Sequence, residues 1–284
     1  MAQRDQNLQE MNLTKRLAVC GAAPRRKAAE LIKSGAVRVN GEIQTNPATL
    51  VTMRDKVLLN GKPVNELPTH VYIMLNKPRG YVCTNNDIHA KKRAIDLINL
   101  RQDLRLFSCG RLDKDSEGLI LFTNDGDFAD RITHPGNSVF KTYALSVDHP
   151  FTSAELQMMC DGITHEGENL HAEDIYQTGP TKYLIVLMEG KNREIRRMAE
   201  FLGKDVKRLE RVVIGNLKRG LLKPGQWRFM SKKDIALALN VEVNDPEMRR
   251  FPDDLLRRQL KTGSPNAPFC KRKTKPFNQK KKEY

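Results

Sequence analysis

The sequence has no pair of cysteines from which a zinc site or a disulfide framework could start. Its five cysteines (Cys20, Cys83, Cys109, Cys160, Cys270) are scattered, odd in number and nowhere spaced as CxxC. They read as reduced thiols of a cytoplasmic protein. The six histidines (His70, His89, His134, His149, His165, His171) show neither HExxH nor zinc-finger spacing. No apolar run approaches the ~18 residues of a membrane span, and the opening stretch MAQRDQNLQEMN has no apolar segment of the signal-peptide kind. A phosphate-binding glycine loop also fails: for Gly190-Lys191 the required first glycine falls on Ile185. These absences point away from a metalloenzyme, a membrane protein and a secreted disulfide scaffold. The expectation is a protein with no zinc site, no phosphate-binding glycine loop and no membrane span.

What the chain does carry is positive charge. The 284 residues hold 49 Lys and Arg against 34 Asp and Glu, a net +15. The excess is not uniform: residues 1–66 contribute +5 and residues 261–284 contribute +7, while the long middle contributes only +3. A nearly balanced body with basic attachments at both ends suits a polyanionic partner, nucleic acid or an anionic membrane surface.

Residues 1–11 are polar and read as disordered. LTKRLAVCG reads as a short helix with Leu13, Leu17 and Ala18 on its apolar face, and PRRKAAELIKSG as a second, with Pro24 in its first turn and Ala28, Leu31 and Ile32 as its stripe. Arg25, Arg26 and Lys27 crowd the start of that second helix, where the helix dipole prefers acids. Cations placed against the dipole suggest an external use. Two short apolar stretches then end in Asn40-Gly41 and Asn60-Gly61, the preferred type I′ hairpin turns. VNELPTH (64–70) reads as a linker. Beyond it, VYIML, LRLFSCG, GLILFTN, KTYALSVD, KYLIVLMEG and VKRLERVVIG read as strands, the last followed by LKPGQWRFM. RAIDLINL, FADRITH, TSAELQMMCDG, KNREIRRMAEFLG and SKKDIALAL read as helices. Strands outnumber helices without alternating with them, so the expected class is α+β: a small helical/β domain, then a body with a mostly antiparallel mixed sheet flanked by helices. From about Thr262 the chain is a disordered cationic tail.

One acidic stretch demands an explanation. CGRLDKDSEGLILF places Asp113, Asp115 and Glu117 at alternate positions with Gly118 next, as a calcium loop begins. The twelfth position, which must be a bidentate Glu, is Asn124, and the seventh to tenth are Leu119, Ile120, Leu121 and Phe122. That is a strand, not a calcium loop. On residue chemistry alone, Asp113 could be an acid in a solvated turn and Tyr143 a tyrosine at a sheet edge. Arg196 could be one of four basic residues (Lys191, Arg193, Arg196, Arg197) on a solvated helix face.

GRLDKDSEGLILFTNDG closely resembles the core motif of the pseudouridine synthases, in the branch that modifies ribosomal RNA. LNKPRG (75–80), KTYALSV (141–147) and EGKNREIRRMAEFLG (189–203) resemble the family's other motifs, in the family's order. The N-terminal 50 residues resemble the S-four-type RNA-binding domain, although Asn12-Leu13-Thr14-Lys15 and Pro24 depart from its usual residues, as Glu194 does from the Gln of many relatives in the third motif. The resemblance covers roughly residues 12–240. It implies a disordered N-terminus (1–11), an S-four-type domain (12–66), a catalytic domain (67–245) and a C-terminal extension ending in a basic disordered tail (246–284).

The resemblance also implies isomerisation of uridine to pseudouridine in ribosomal RNA without cofactor or metal, the third motif leaning toward the large-subunit RNA. Small-subunit RNA and tRNA are alternative substrates. A non-catalytic RNA-binding or ribosome-assembly protein is the alternative from another class. By position, Asp113 is the implied catalytic aspartate, Arg196 the arginine that pairs with it, and Tyr143 the tyrosine that stacks on the target base. The expected partner is a structured stem-loop with a flipped uridine, met by a cytoplasmic monomer. Lys15, Arg25, Arg26, Lys27, Lys33 and Arg38 would hold phosphates, Lys77 and Arg111 would sit at the mouth of the active site, and Arg193 and Arg197 would add further contacts.

Overall fold

The computed structural model of the chain describes residues 10–64, 69–84, 92–100 and 104–255. Most of the expected disordered start, part of the linker (65–68) and the cationic tail lie outside the described residues. The first ordered element begins earlier than expected: β1 (Met11–Asn12) pairs with β4 (Leu50–Val51).

The N-terminal module is built on α1 (Leu13–Val19) and α2 (Arg25–Lys33). Asn12 caps α1, its side chain accepting from the Lys15 N–H at 2.8 Å. Pro24 is the residue before α2 and offers its start no side-chain cap. Leu13, Leu17, Ala28 and Ile32 are fully buried against Val37 and Val57. β2 (Val37–Val39) pairs with β3 (Glu42–Gln44) and with β5 (Val57–Leu59), which pairs with β6 (Lys62–Pro63). The two hairpins turn on Asn40-Gly41 (φ 51° and 97°) and Asn60-Gly61 (φ 49° and 78°), as a type I′ turn requires. Arg16, unread as a core residue, is fully buried. Its Nη2 donates to the Val64 carbonyl at 3.1 Å and Nη1 lies against Met53 Sδ.

The body is a nine-stranded sheet. Its main path runs β13 (Asp174–Gly179), β14 (Lys182–Leu187), β10 (Lys141–Val147), β15 (Val206–Ile214), β9 (Glu117–Thr123), β7 (Tyr72–Lys77), β17 (Trp227–Phe229). β16 (Leu217–Lys218) pairs with β15, and β8 (Phe107–Cys109) with β9. Every pairing is antiparallel except β15 with β9. The sheet is covered on both faces, which explains why its central strands read as unbroken apolar runs. Ile73, Leu75, Ile120 and Phe122 face one cluster, with Met159 of α4 (Ser153–Asp161) and Ile195, Met198 and Ala199 of α5 (Glu194–Phe201). Tyr72, Met74, Leu119 and Leu121 face the other, with Phe128 and Ile132 of α3 (Gly126–Thr133) and Ile235 and Ala238 of α6 (Lys232–Leu239).

Three sequence expectations change. RAIDLINL forms only a 3-10 turn over Ala94–Leu97, since so short a segment cannot sustain a helix and Asp96 is held locally by Arg93. The hairpin β11 (Ile163–His165) with β12 (Glu168–Leu170), and the edge strand β13, carry too few alternating apolar residues to be legible. The C-terminal extension is not free at its start. Met248, Phe251 and Leu255 are buried in the body, Phe251 edge-on to Tyr72 at 5.4 Å. Arg250 pairs with Asp125, which also accepts from the Tyr72 hydroxyl at 2.7 Å.

The parallel seam between β9 and β15 is two residues long, Glu117 opposite Glu210 and Gly118 opposite Arg211. Gly118 has φ +102°, and a Cβ there would lie 2.3 Å from the Arg211 carbonyl oxygen and 2.8 Å from its nitrogen. Only glycine fits this approach of two backbones. Gly118→Ala is therefore expected to destabilise the fold by about 3 kcal/mol or more. A fall in the urea midpoint of unfolding, with unchanged slope, is the measurement that checks it.

Candidate active site

The acidic stretch is a braced turn between β8 and β9. The Ser116 N–H donates to the Asp113 carbonyl at 3.1 Å and the Gly80 N–H to the Lys114 carbonyl at 2.7 Å. Leu112 N–H meets Cys83 Sγ at 3.4 Å. Beneath the turn lies Lys77, fully buried, with Nζ donating to the carbonyls of Tyr81 (2.7 Å), Pro78 (3.2 Å) and Lys114 (3.5 Å). Burial pulls its affinity for a proton down, and the charges of Asp113, Asp115 and Glu117 work against that.

Arg196, in the first turn of α5, comes to the turn from the other side. Its Nη2 donates to the Asp115 carbonyl at 3.0 Å and contacts Ser116 Oγ at 3.4 Å. The expected direct pair with Asp113 is not formed: the guanidinium holds the backbone of the turn, and its charge reaches the Asp113 carboxylate only through space. Burial and the neighbouring Arg193 lower its proton affinity while Asp113 and Asp115 raise it. Nor are the four basic residues one solvated helix face. Lys191 and Arg193 precede α5, and Arg197 is buried, ion-paired to Glu166 and Glu168 and donating to the His165 carbonyl at 2.9 Å. Glu194 is buried as well, accepting from the Lys191 N–H at 3.0 Å, and burial raises its carboxyl's pKa.

Tyr143 is not at a sheet edge. β10 runs between β14 and β15, and Tyr143 is buried. It shares with Asp113 a cavity of about 540 Å³, whose lining also includes Arg111, Ser116, Lys141, Arg193 and Arg211. Arg111 and Arg193 are exposed at its rim. Lys141 and Arg211 went unread in the sequence. The signals were there: a lysine two residues before the tyrosine on one strand face, and an arginine inside an apolar strand. Among the described residues no group of three or more His, Cys, Asp or Glu is placed to hold a metal ion, and no helix is long and apolar enough to cross a membrane.

A half-buried carboxylate on a braced turn, sharing a cation-lined cavity with a tyrosine, can act on a polyanion's uncharged base. The chain matches the RNA pseudouridylate synthase family over residues 71–201 and the S4 domain over residues 11–57. It is 35% identical to an uncharacterized RNA pseudouridine synthase of Aquifex aeolicus, over 81% of this chain and 94% of that one. The chain belongs to the RNA pseudouridine synthases. It is also 35% identical to the dual-specificity RNA pseudouridine synthase RluF of Salmonella typhi, covering 78% of this chain and 76% of that one. A putative chloroplastic ribosomal large subunit pseudouridine synthase of Arabidopsis thaliana is 33% identical, with 85% of this chain and 60% of that protein covered. The crystal structure of a pseudouridylate synthase superposes with a TM-score of 0.60 at 28% identity, covering 80% of this chain and 99% of that one.

In this pseudouridine synthase the cations expected to touch RNA fall into two groups. Arg25, Arg26, Lys27, Lys33, Arg38, Arg111 and Arg193 are exposed, Lys27 carrying a surface pair to Glu30 at 2.9 Å. Lys15 instead pairs with Asp127 of α3 at 2.9 Å, joining the N-terminal module to the body. Lys77 and Arg197 are buried and committed to protein carbonyls and carboxylates, so neither lies at a surface that a phosphate could reach. Lys77→Ala is expected to cost about 3 kcal/mol of stability, because three carbonyls lose the donor they share and a fully buried side chain leaves a gap beneath the turn. It should leave the salt dependence of RNA binding by the folded protein unchanged. Chemical unfolding and a salt titration of RNA affinity check the two halves.

Proposed function

We propose that this enzyme isomerises one uridine of ribosomal RNA to pseudouridine, with Asp113 acting directly on a nucleoside turned out of its stack. The observation that carries the reading is the shared cavity of Asp113 and Tyr143, with Asp113 on a turn fixed from two sides by Lys77 and Arg196. Such a turn supplies a carboxylate at a set place without a salt bridge that would have to break first. A flipped pyrimidine packed over Asp113 removes water from it, and desolvation opposes its charge. The cations Lys77 and Arg196, held by carbonyls of the same turn, offset that cost through space. Tyr143 offers its ring as a stacking face for the base, and Arg196 acts on Asp113 by positioning the turn.

The N-terminal module (residues 12–66) is assigned to RNA docking, residues 67–245 to catalysis, and the chain after 246 to an extension that adds salt-sensitive attraction through its basic end. Arg25, Arg26 and Lys27 lie exposed at the uncapped, acid-free start of α2, where they can reach phosphates. A structured stem-loop suits a site that reads an extruded base. Large-subunit RNA is the favoured target, supported by the name of the Arabidopsis relative. Action as a monomer in the cytoplasm completes the reading.

Asp113→Asn is expected to slow pseudouridine formation in ribosomal RNA transcripts by at least about a thousandfold, a loss typical of removing a group that acts on the reacting atoms. Chemical mapping of pseudouridine provides the readout, and an unchanged rate would remove Asp113 from the chemistry. Replacing Arg25, Arg26 and Lys27 together by Ala should reduce the slope of log affinity against log salt by about three. Filter binding at several salt concentrations measures it.

A further inference from the structure

The reading above leaves two cations of the cavity without a task. Lys141 precedes Tyr143 by two residues on β10, so both side chains share one face of the sheet. Arg211 lies directly opposite Tyr143 on β15. Both cations line the cavity that holds Asp113. Arg211 is 4% exposed, with Nε donating to the Leu119 carbonyl at 2.7 Å and Nη2 buried with no partner. Lys141 Nζ donates to the Met188 carbonyl at 3.3 Å. Among the described residues neither enters a salt bridge. Two unneutralised cations side by side in a half-buried pocket are unfavourable on their own. Burial and the adjacent Arg211 lower the pKa of Lys141 to about 8.

We propose that Lys141 and Arg211 form a seat for the negative charge that the pyrimidine carries once its bond to the ribose has broken. This rests on the reading that Asp113 works on a uridine stacked at Tyr143. When the N1–C1′ bond of uridine breaks, its electron pair stays on the base and spreads over N1, O2 and O4, while C1′ is left electron-deficient beside the Asp113 carboxylate. After the base turns, C5 supplies a pair to C1′. The proton that C5 releases is balanced by the one N1 gains, so the product is an isomer and nothing is consumed. Donors fixed where charge develops stabilise it without reorganisation. The base rather than a phosphate is the occupant because Arg211 is buried opposite Tyr143 and Lys141 is half-buried two residues before it, whereas Arg111 and Arg193 are exposed, where a phosphate can reach.

The test measures single-turnover pseudouridine formation at saturating enzyme, and RNA affinity separately, on a ribosomal RNA transcript. Lys141→Met is expected to slow the bound complex about a hundredfold while affinity stays within about twofold, as for loss of one fixed donor. Arg211→Lys, which keeps the charge but not the reach, should slow it more than about tenfold. Wild-type turnover should fall as pH rises through about 8, when the Lys141 ammonium is lost, and Lys141→Arg should remain active without that fall. The titratable and charged groups that line the cavity with Lys141 are Arg211 from β15, Cys83, Cys109, Arg111, Asp113 and Lys114 around the acidic turn, and Glu189, Lys191, Arg193 and Glu194 after β14. The inference is overturned if Lys141→Met turns over at the wild-type rate. It also fails if that variant loses affinity alone, as a phosphate clamp would, or if Lys141→Arg keeps the alkaline fall. Asp113→Asn assayed in parallel separates the two readings. An active Asp113→Asn sinks the catalytic assignment, whereas an inactive one beside a fast Lys141→Met sinks only the seat.

Discussion

The contact on which the site depends is the short parallel seam between β9 and β15. It joins two antiparallel halves of the sheet, one carrying the acidic turn at the head of β9 and the other carrying Tyr143 on β10. Without it, Asp113 and Tyr143 would belong to separate layers. The seam works because Gly118 lets two backbones approach more closely than any side chain allows. It also sets Glu117 opposite Glu210, a like-charge pairing that disfavours a sheet. Arg208 bridges the two acids, contacting Glu117 and reaching Glu210 at 3.0 Å, and Arg219 adds a second contact to Glu210 at 2.8 Å. Arg208 is exposed while Glu210 is buried, so the arginines also keep a buried carboxylate from standing unpaired. Here they remove a repulsion that would otherwise fall on the hinge of the active site.

The electrostatic plan of the cavity is indirect. Lys77 and Arg196 both donate to carbonyls of the turn, so the Asp113 carboxylate has cationic surroundings but, among the described residues, no ion-pair partner. A carboxylate locked into a bidentate pair would have to be released before it could act. One held by its backbone is placed and still free. The same economy appears at Arg197, which ties the β11–β12 hairpin to α5 instead of meeting solvent.

Much of this was legible in the chain. Apolar runs marked the central strands, Asn-Gly marked both tight hairpins, and Thr152 or Ser153 ahead of Glu155 marked the start of α4, where Thr152 and Glu155 form a capping box. Motif order pointed to Asp113, Tyr143 and Arg196 as one site, and the structure brings the first two to one cavity and the third to its supporting turn. Edge strands such as β13 were not legible, because a strand with most of its side chains in water needs no apolar alternation. Lys77 and Arg197 looked like surface cations, and Arg16 went unread, because a sequence shows charge but not the carbonyls and carboxylates that permit its burial.

The sequence by itself determined the central strands, the Asn-Gly turns, the family and the order of the motifs, since these follow from local periodicity and from short runs of adjacent residues. Only the tertiary structure decided which cations are free, which are buried braces, and that Lys141 and Arg211 stand beside Tyr143. Those facts depend on contacts between residues distant along the chain, and desolvation, which sets the value of every charge in the cavity, exists only once those segments have packed together.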